Sequence, residues 1–162
     1  MKYLILKLVY YFFGLQIFVS YISISFYSGF WKYFNPYVRL VGIGIYLLFE
    51  IAYTLTSFMD PGIITKEYYL ENYDPSKTIV KNYRICRKCN IVMDLDKKVE
   101  HCINCNICII GNDHHCPWTS KCIGEKNLLM FRIFIFSLFF HLLFVSFGLI
   151  LMSIFINRIK KI

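Results

Sequence analysis

Residues 86–122 read CRKCNIVMDLDKKVEHCINCNICIIGNDHHCPWTSKC, and this stretch decides the fold of the soluble part of the chain. It holds all seven cysteines of the 162-residue sequence and three of its four histidines. Thiolate and imidazole are the ligands that zinc prefers, so this crowding predicts metal binding. The stretch has little apolar periodicity, and we expect metal to supply the folding energy of short strands and knuckles. We expect a single unit with no internal repeat.

Three pairs of cysteines have the two-residue gap that lets two thiolates meet one tetrahedral zinc: Cys86/Cys89, Cys102/Cys105 and Cys105/Cys108. The seven cysteines and three histidines of the stretch offer ten donors in all. Two closed sites of four ligands would leave two donors over. Cys116 and one of its neighbouring histidines are the natural remainder. A spare cysteine beside a histidine and Asp113 is typical of a nucleophile.

The remainder of the chain has the composition of a membrane protein. Hydrophobic residues make up 57% of the sequence and aromatic residues 19%, which exceeds the content of soluble domains. Three apolar runs approach the ~20 residues that cross a bilayer. They lie at about 8–31, 40–59 and 133–156. We therefore predict an all-α integral membrane fold with three transmembrane helices, joined to a small zinc-stabilised, Cys-rich domain of short strands and loops.

The apolar runs and the Cys-rich stretch predict four parts of the chain. Residues 1–59 hold two transmembrane helices, and 60–85 form a juxtamembrane segment that begins at a predicted Asp60-Pro61-Gly62 turn. Residues 86–127 form the zinc domain, and 128–162 hold the third helix and a short basic tail. A short helix is expected near 66–72.

Loop charge predicts the orientation. The segment 60–127 carries ten Lys and Arg residues, whereas the turn 32–39 carries two. The positive-inside rule therefore places 60–127 in the cytosol, although a chain of three spans would put Arg158, Lys160 and Lys161 on the far side. A reducing cytosol also suits zinc thiolates. The basic residues near the cysteines can offset the charge of the metal sites, face anionic lipid, bind phosphates or form a solvated surface.

Two polar residues within the apolar runs have competing interpretations. Glu50 is costly in lipid and is a functional candidate, but it is also compatible with a neutral carboxyl bonded to Thr54 or with a wet position near the interface. His141 fits a packed, hydrogen-bonded helix residue better than a ligand.

The run from Cys86 to Asn127, which includes Asp113-His114-His115-Cys116-Pro117-Trp118, resembles the cysteine-rich domain of the DHHC protein S-acyltransferases. Asp60-Pro61-Gly62 resembles that family's motif after its second helix. The resemblance covers about 100 residues, and it implies two structural Zn²⁺ ions in interleaved sets. The implied ligands of the first ion are Cys86, Cys89, His101 and Cys108. Those of the second are Cys102, Cys105, His115 and Cys122.

The resemblance also implies a reaction. Cys116 would take a long-chain acyl group, such as palmitoyl, from acyl-CoA and pass it to cysteines of protein substrates. His114 would accept the thiol proton and Asp113 would orient the imidazole. Trp118 would lie near the thioester end of the acyl chain. The implied setting is a multi-pass protein of an endomembrane (Golgi or ER) or the plasma membrane, with the Cys-rich domain in the cytosol and membrane lipid around the helices. No nucleic-acid partner is expected.

The sequence departs from the family pattern in ways that keep alternatives open. Family members have a fourth membrane helix and a Thr-Thr-x-Glu motif, which this sequence lacks, and Lys121 stands where the family has Asn. One alternative is a truncated or degenerate relative that binds zinc as a scaffold or needs a partner chain. A second is an unrelated zinc-binding membrane adaptor. A homo- or hetero-oligomer would supply the missing wall of the acyl cavity.

Overall fold

In the computed structural model, the structure describes residues 14, 16–24, 26, 34–65 and 83–160. Residues 16–24 are helical and are called α1 here. Helix α2 is Pro36–Phe58 and helix α3 is Leu128–Ile159. Asn35 caps α2, because its side chain accepts a hydrogen bond from the Tyr37 N–H and Pro36 takes the first turn, where an N–H is not needed.

Helices α2 and α3, of 23 and 32 residues, are each long and apolar enough to cross a bilayer. They account for two membrane-capable helices within the described residues. The predicted first span, 8–31, and the predicted helix near 66–72 fall largely or wholly outside those residues. Three spans therefore stay a prediction, and the label all-α is not confirmed for the chain as a whole, since the Cys-rich part is built of strands.

Seven short strands form the Cys-rich part, which agrees with the expectation of strands and knuckles there. They are β1 (Ile63–Ile64), β2 (Tyr83–Cys86), β3 (Ile91–Asp94), β4 (Glu100–Cys102), β5 (Ile107–Ile109), β6 (His114–Cys116) and β7 (Lys121–Ile123). Antiparallel pairs β2–β3, β4–β5 and β6–β7 make three hairpins, called hairpins 1, 2 and 3, and β1 adds to hairpin 2 through β5.

The three hairpins repeat one pattern, and the expectation of no internal repeat is therefore wrong. In each, a cysteine at the end of the first strand pairs with the residue five positions on: Cys86 with Ile91, Cys102 with Ile107, and Cys116 with Lys121. In each, the residue before that partner has a positive φ, of 53°, 57° and 54° respectively. Part of the repeat also shows in the sequence, since Cys-x-x-Cys-Asn-Ile occurs at 86–91 and again at 102–107.

The helices pack through an aromatic core. Phe49 and Tyr53 of α2 are fully buried, and both rings contact Phe134 of α3, with centroids 5.9 and 5.2 Å away. Residues Val19 and Ala52 complete this cluster. Some polar residues of the helices bond within their own helix, as Thr56 does to the Ala52 carbonyl oxygen, and others bond between helices.

Glu50 and His141 find their partners on α1. Gln16 donates to Glu50, and the Ser20 hydroxyl donates to the other carboxylate oxygen. The proposed bond to Thr54 is thus replaced by bonds to a neighbouring helix. His141 is fully buried and its Nε2 lies 2.7 Å from the Ser23 hydroxyl oxygen, as expected of a packed, hydrogen-bonded helix residue.

A polar joint ties the strands to the helices. Asn127, fully buried before α3, donates from Nδ2 to the carbonyl oxygens of Thr56 in α2 and Cys122 in β7, and its Oδ1 accepts from the Gly124 N–H. A side chain at Gly124 would collide with the Pro61 carbonyl oxygen, so only glycine fits there. The joint therefore fixes the height of the Cys-rich part over the ends of α2 and α3.

Two lysines reinforce the same joint. The Lys121 ammonium donates to the carbonyl oxygen of Phe58, the last residue of α2, at 3.1 Å. A positive charge at the C-terminus of a helix interacts favourably with the helix dipole. Lys126 pairs with Asp60 at 2.9 Å, and Asp60 also accepts from the Gly62 and Ile63 N–H groups. Partial burial works against ionisation of Asp60, but these donors prevail and lower the pKa of its carboxyl. Lys121, unusual at its position, thus caps a helix.

Candidate metal centres and reactive thiol

The residues of β6 lie on two faces of the strand, one towards a candidate metal centre and one with the candidate reactive thiol. Side chains of a strand point alternately to opposite faces, so His114 and Cys116 share one face and His115 lies on the other. His115 pairs across the hairpin with Cys122. In hairpin 2, His101 pairs in the same way with Cys108. Each candidate metal centre therefore contains one His/Cys cross-strand pair.

Site 1 comprises Cys86, Cys89, His101 and Cys108, whose donor atoms all lie within 4.8 Å of one another. The Nδ1 atom of His101 is 3.4 Å from Sγ of Cys86, 3.3 Å from that of Cys89 and 3.6 Å from that of Cys108. The three sulfurs thus surround the Nδ1 atom of His101 at similar distances.

Site 2 comprises Cys102, Cys105, His115 and Cys122, again with all donors within 4.8 Å. Nδ1 of His115 is 3.8 Å from Sγ of Cys102, 3.3 Å from that of Cys105 and 3.6 Å from that of Cys122. The eight ligands implied by the resemblance therefore come together in two groups of four.

These separations match the edges of a zinc tetrahedron. Zn–S bonds of about 2.3 Å and Zn–N bonds of about 2.0–2.1 Å give N···S edges of about 3.5 Å at tetrahedral angles. The Nδ1···Sγ distances of both sites, 3.3–3.8 Å, bracket that value. Each site can hold one Zn²⁺ in a closed shell of three thiolates and one imidazole, with no position left for a substrate.

The electrostatics of the sulfurs also favour a cation. In site 2 the Cys122 thiol donates to Cys105 at 3.3 Å. This hydrogen bond lowers the pKa of Cys105 to about 5 and raises the pKa of Cys122 well above its ordinary value. In site 1, burial together with the neighbouring sulfurs raises the pKa of Cys108. Adjacent thiolates repel one another, and a divalent ion at their centre removes that conflict.

The two sites are interleaved, because each takes its donors from two successive hairpins. Hairpin 1 gives a Cys-x-x-Cys pair to site 1, and hairpin 2 gives site 1 its His101 and Cys108. Hairpin 2 also gives its own Cys-x-x-Cys pair, Cys102 and Cys105, to site 2, which hairpin 3 completes. Each metal would therefore bind two successive hairpins together.

Cys116 stands apart from both metal groups among the described residues. Its side chain is buried in hairpin 3, while Trp118 in the following turn is 56% exposed. On the same strand face, His114 Nδ1 lies 3.0 Å from Asp113 Oδ2. Because the carboxylate accepts from Nδ1–H, the lone pair of the imidazole is placed on Nε2. A thiol, an imidazole with a free lone pair and an orienting carboxylate thus occur within four consecutive residues.

The helices support this thiol site through two contacts that could not be predicted from the sequence. The Tyr53 hydroxyl donates to the carbonyl oxygen of Trp118 at 3.0 Å, which pins the turn after Cys116 to α2. The edge of the His114 ring meets Phe131 of α3, with centroids 5.1 Å apart. A fully buried tyrosine needs a partner for its hydroxyl, but only the fold reveals which one.

Comparison with known proteins agrees with this arrangement. A family model described as DHHC palmitoyltransferase matches residues 79–161. The chain is 34% identical over 132 residues to palmitoyltransferase ZDHHC8B of Danio rerio, and 36% identical over 121 residues to palmitoyltransferase ZDHHC8 of Drosophila melanogaster. It is 30% identical over 130 residues to palmitoyltransferase ZDHHC5 of Homo sapiens.

These alignments cover 74%, 67% and 73% of this chain, but only 17%, 13% and 18% of the respective relatives. The matched family segment contains all three hairpins and the whole of α3. The motif Asp113-His114-His115-Cys116, the two Cys/His groups and the family match agree, and the chain belongs to the DHHC palmitoyltransferase family.

Proposed function

We propose that this chain is a protein S-acyltransferase that carries a long-chain acyl group on Cys116. The donor is acyl-CoA, with palmitoyl as the acyl group that the relatives' names specify, and the acceptor is a cysteine thiol of a protein. The observation that carries the proposal is the Asp113–His114 hydrogen bond on the strand face shared with Cys116, in a hairpin joined to membrane-capable helices.

The first step forms one thioester and breaks another. Nε2 of His114 accepts the thiol proton of Cys116, and Asp113 stabilises the imidazolium through Nδ1. The sulfur attacks the carbonyl carbon of acyl-CoA, the bond from that carbon to the CoA sulfur breaks, and the CoA thiolate recovers the proton from His114. An acceptor thiolate then attacks acyl-Cys116 in the same manner. No energy source is needed, since a thioester is exchanged for a thioester.

The eight donors of sites 1 and 2 hold two Zn²⁺ ions in this proposal, and the metal supplies folding energy rather than chemistry. His115 and Cys122 fix β6 to β7, so the strand that presents His114 and Cys116 is rigid. Rigid support of a reactive constellation is what precise positioning requires.

The membrane arrangement supports a lipid substrate. Helices α2 and α3 end at the joint beneath hairpin 3, so an acyl chain on Cys116 can enter lipid or the space beside the helices. We place the hairpins on the cytosolic side of a multi-pass protein, because the segment 60–127 is strongly basic. Membrane lipid is the medium of the reaction.

The proposal is tested on the full chain in lipid vesicles with labelled palmitoyl-CoA. Free CoA thiol should appear together with label on the protein, and hydroxylamine at neutral pH should remove the label because a thioester is labile to it. Cys116→Ser should abolish both signals while the zinc content stays at the value of the unchanged chain. Zinc-loaded protein that neither releases CoA nor retains label would contradict the proposal.

A further inference from the structure

Hairpin 3 repeats the backbone of hairpins 1 and 2 but has no Cys-x-x-Cys pair of its own. Counting from the first-strand cysteine, the residue one position earlier and the residue six positions later are metal donors in hairpin 2, namely His101 and Cys108. They are donors again in hairpin 3, as His115 and Cys122. These donors complete the site begun by the preceding hairpin. Cys116 holds the place that Cys86 and Cys102 hold in hairpins 1 and 2.

The second donor of each metal-binding hairpin lies three positions after the first. Hairpins 1 and 2 have Cys89 and Cys105 there, whereas hairpin 3 has Thr119. All three turns have four residues and end in a residue with positive φ, so the backbone course is alike. The closing bonds differ in detail, since the Ser120 N–H donates to Pro117 O and the corresponding Asn90 and Asn106 N–H groups donate to the cysteine carbonyl.

Thr119 occupies the place of that second thiol inside the hairpin. It is 3% exposed, and its hydroxyl donates toward the Cys116 carbonyl oxygen at 3.5 Å. A threonine hydroxyl is a poor ligand for Zn²⁺ in comparison with a thiolate, and it leaves Cys116 as a single soft donor. One thiolate binds zinc far more weakly than two thiolates that are held in register, because the second donor gains from effective concentration.

We propose that Thr119 is a specificity-determining residue: it keeps the third metal-binding repeat open, so that Cys116 stays free of zinc and available for acyl transfer. Only the assignment of this purpose rests on the proposed function. The proposal that Thr119 prevents metal binding at Cys116 depends only on the identity and position of the metal donors, and it is tested by a measurement that does not involve activity.

The test is Thr119→Cys in the full chain, purified under reducing conditions in detergent with its zinc retained. When a divalent ion binds, the thiols of Cys116 and the introduced cysteine each lose a proton and form two metal–sulfur bonds. Elemental analysis after equilibration with Zn²⁺ should rise from two to three ions per chain. In a Cd²⁺ titration, a new thiolate-to-metal absorption should saturate at a Cd²⁺ concentration on the order of 100-fold lower than any signal at Cys116 in the unchanged chain.

Matched variants isolate the pair. Thr119→Cys combined with Cys116→Ser should return to two ions, because only one thiol remains. Ser120→Cys adds a thiol one position out of register and should also stay at two. The third ion should be removed by a weak chelator that leaves two, since hairpin 3 offers it two thiolates whereas sites 1 and 2 each offer three, and its removal should restore acylation of Cys116 by palmitoyl-CoA.

Two outcomes would overturn the proposal. One such outcome is a Thr119→Cys chain that holds two ions and binds Cd²⁺ no more tightly than the unchanged chain. It would mean that positions 116 and 119 of hairpin 3 are not arranged to bind one metal ion together. If Thr119→Cys itself falls below two ions because the fold is disturbed, the same titration on Thr119→Asp decides, and absence of a third ion there would count against the proposal. A third ion in Thr119→Cys, together with an unchanged chain that never acylates Cys116, would support the proposal that Thr119 prevents metal binding at Cys116. It would refute only the proposed function.

Discussion

Sites 1 and 2 use the same donors in the same register, but they differ in what their hairpins carry. Site 1 joins hairpins 1 and 2, and none of its four donors adjoins the candidate nucleophile. Site 2 reaches hairpin 3 through His115, which directly precedes Cys116, and through Cys122, which pairs with His115 across the hairpin. The difference indicates that site 1 mainly stabilises the fold, whereas site 2 also positions the reaction.

The largest effect is expected from Cys102→Ser, which removes a ligand of site 2. One zinc should be lost, and with it folding energy on the order of 10 kcal/mol for a structural site. Hairpin 3 would no longer be fixed, and acylation should vanish. Elemental analysis and label retention measure the two effects on one sample. Cys116→Ser is the control, and it should lose the label but keep two zincs.

Next comes the same change in site 1. Cys89→Ser should also lose one zinc and lower the melting temperature, but Cys116 should still acquire some acyl label below that temperature. Thermal unfolding and labelling at several temperatures separate the two. Equal loss of labelling in Cys89→Ser and Cys102→Ser, at a temperature where both remain folded, would remove the distinction between the sites.

A smaller effect is expected from Asp113→Asn, which keeps both sites intact but removes the carboxylate that orients His114. Two zincs should remain, and the rate of acylation should fall about 100-fold, within the range of acid–base contributions. Asp96→Asn, which changes the same charge at an exposed turn, is the matched control and should label at the normal rate. A normal acylation rate in Asp113→Asn would contradict the proposal that the Asp113 carboxylate orients His114.

The tie between hairpin 3 and the helices predicts a modest effect. Tyr53→Phe removes the hydrogen bond to the Trp118 carbonyl but keeps the aromatic packing, a loss of ~1 kcal/mol. The acylation rate should drop about fivefold if that energy holds the reactive turn in place. Tyr37→Phe, at an exposed position of the same helix, should change nothing. Identical rates in the two variants would show that the turn needs no support from α2.

The smallest effect is expected at the Lys126–Asp60 pair, which is about half exposed on both sides. Lys126→Ala should cost less than ~1 kcal/mol, because solvent screens the pair. The Asp60 pKa is lowered in the folded state, so its contribution exists above the pKa of the unfolded carboxyl and fades as the pH falls through the folded value. Melting temperatures of the two chains should therefore differ at neutral pH and converge in acid.

The reactive and metal-binding residues of this site could be predicted from the sequence better than the contacts that hold them in place. Cysteine spacing predicts metal binding, because ligand gaps follow from tetrahedral geometry, and a donor count of ten leaves Cys116 over. The contacts of Asn127 and Tyr53 could not be predicted, since they join residues 71 and 65 positions apart. The repeat of hairpins 1 and 2 could have been found in the sequence, as Cys-x-x-Cys-Asn-Ile at 86–91 and 102–107. Its extension to hairpin 3 could not, because it lies in the pairing register and in the positive φ at Ser120.

The fold class shows the same limit. Composition and run length predict apolar helices, and α2 and α3 are such helices. The partners of Glu50 could not be foreseen, because a local bond to Thr54 and a bond to another helix are equally compatible with one sequence. In lipid, the interhelical bond to Gln16 satisfies the carboxylate while it joins two elements.

The most direct test of the account measures metal and acyl group on the same molecule. Native and denatured mass spectra of the full chain, taken after incubation with palmitoyl-CoA, report zinc and covalent adduct together. We expect two zincs and one hydroxylamine-labile palmitoyl group, mapped by peptide analysis to Cys116. An adduct on Cys102, Cys105 or another proposed ligand, with fewer than two zincs in the acylated chains, would contradict it.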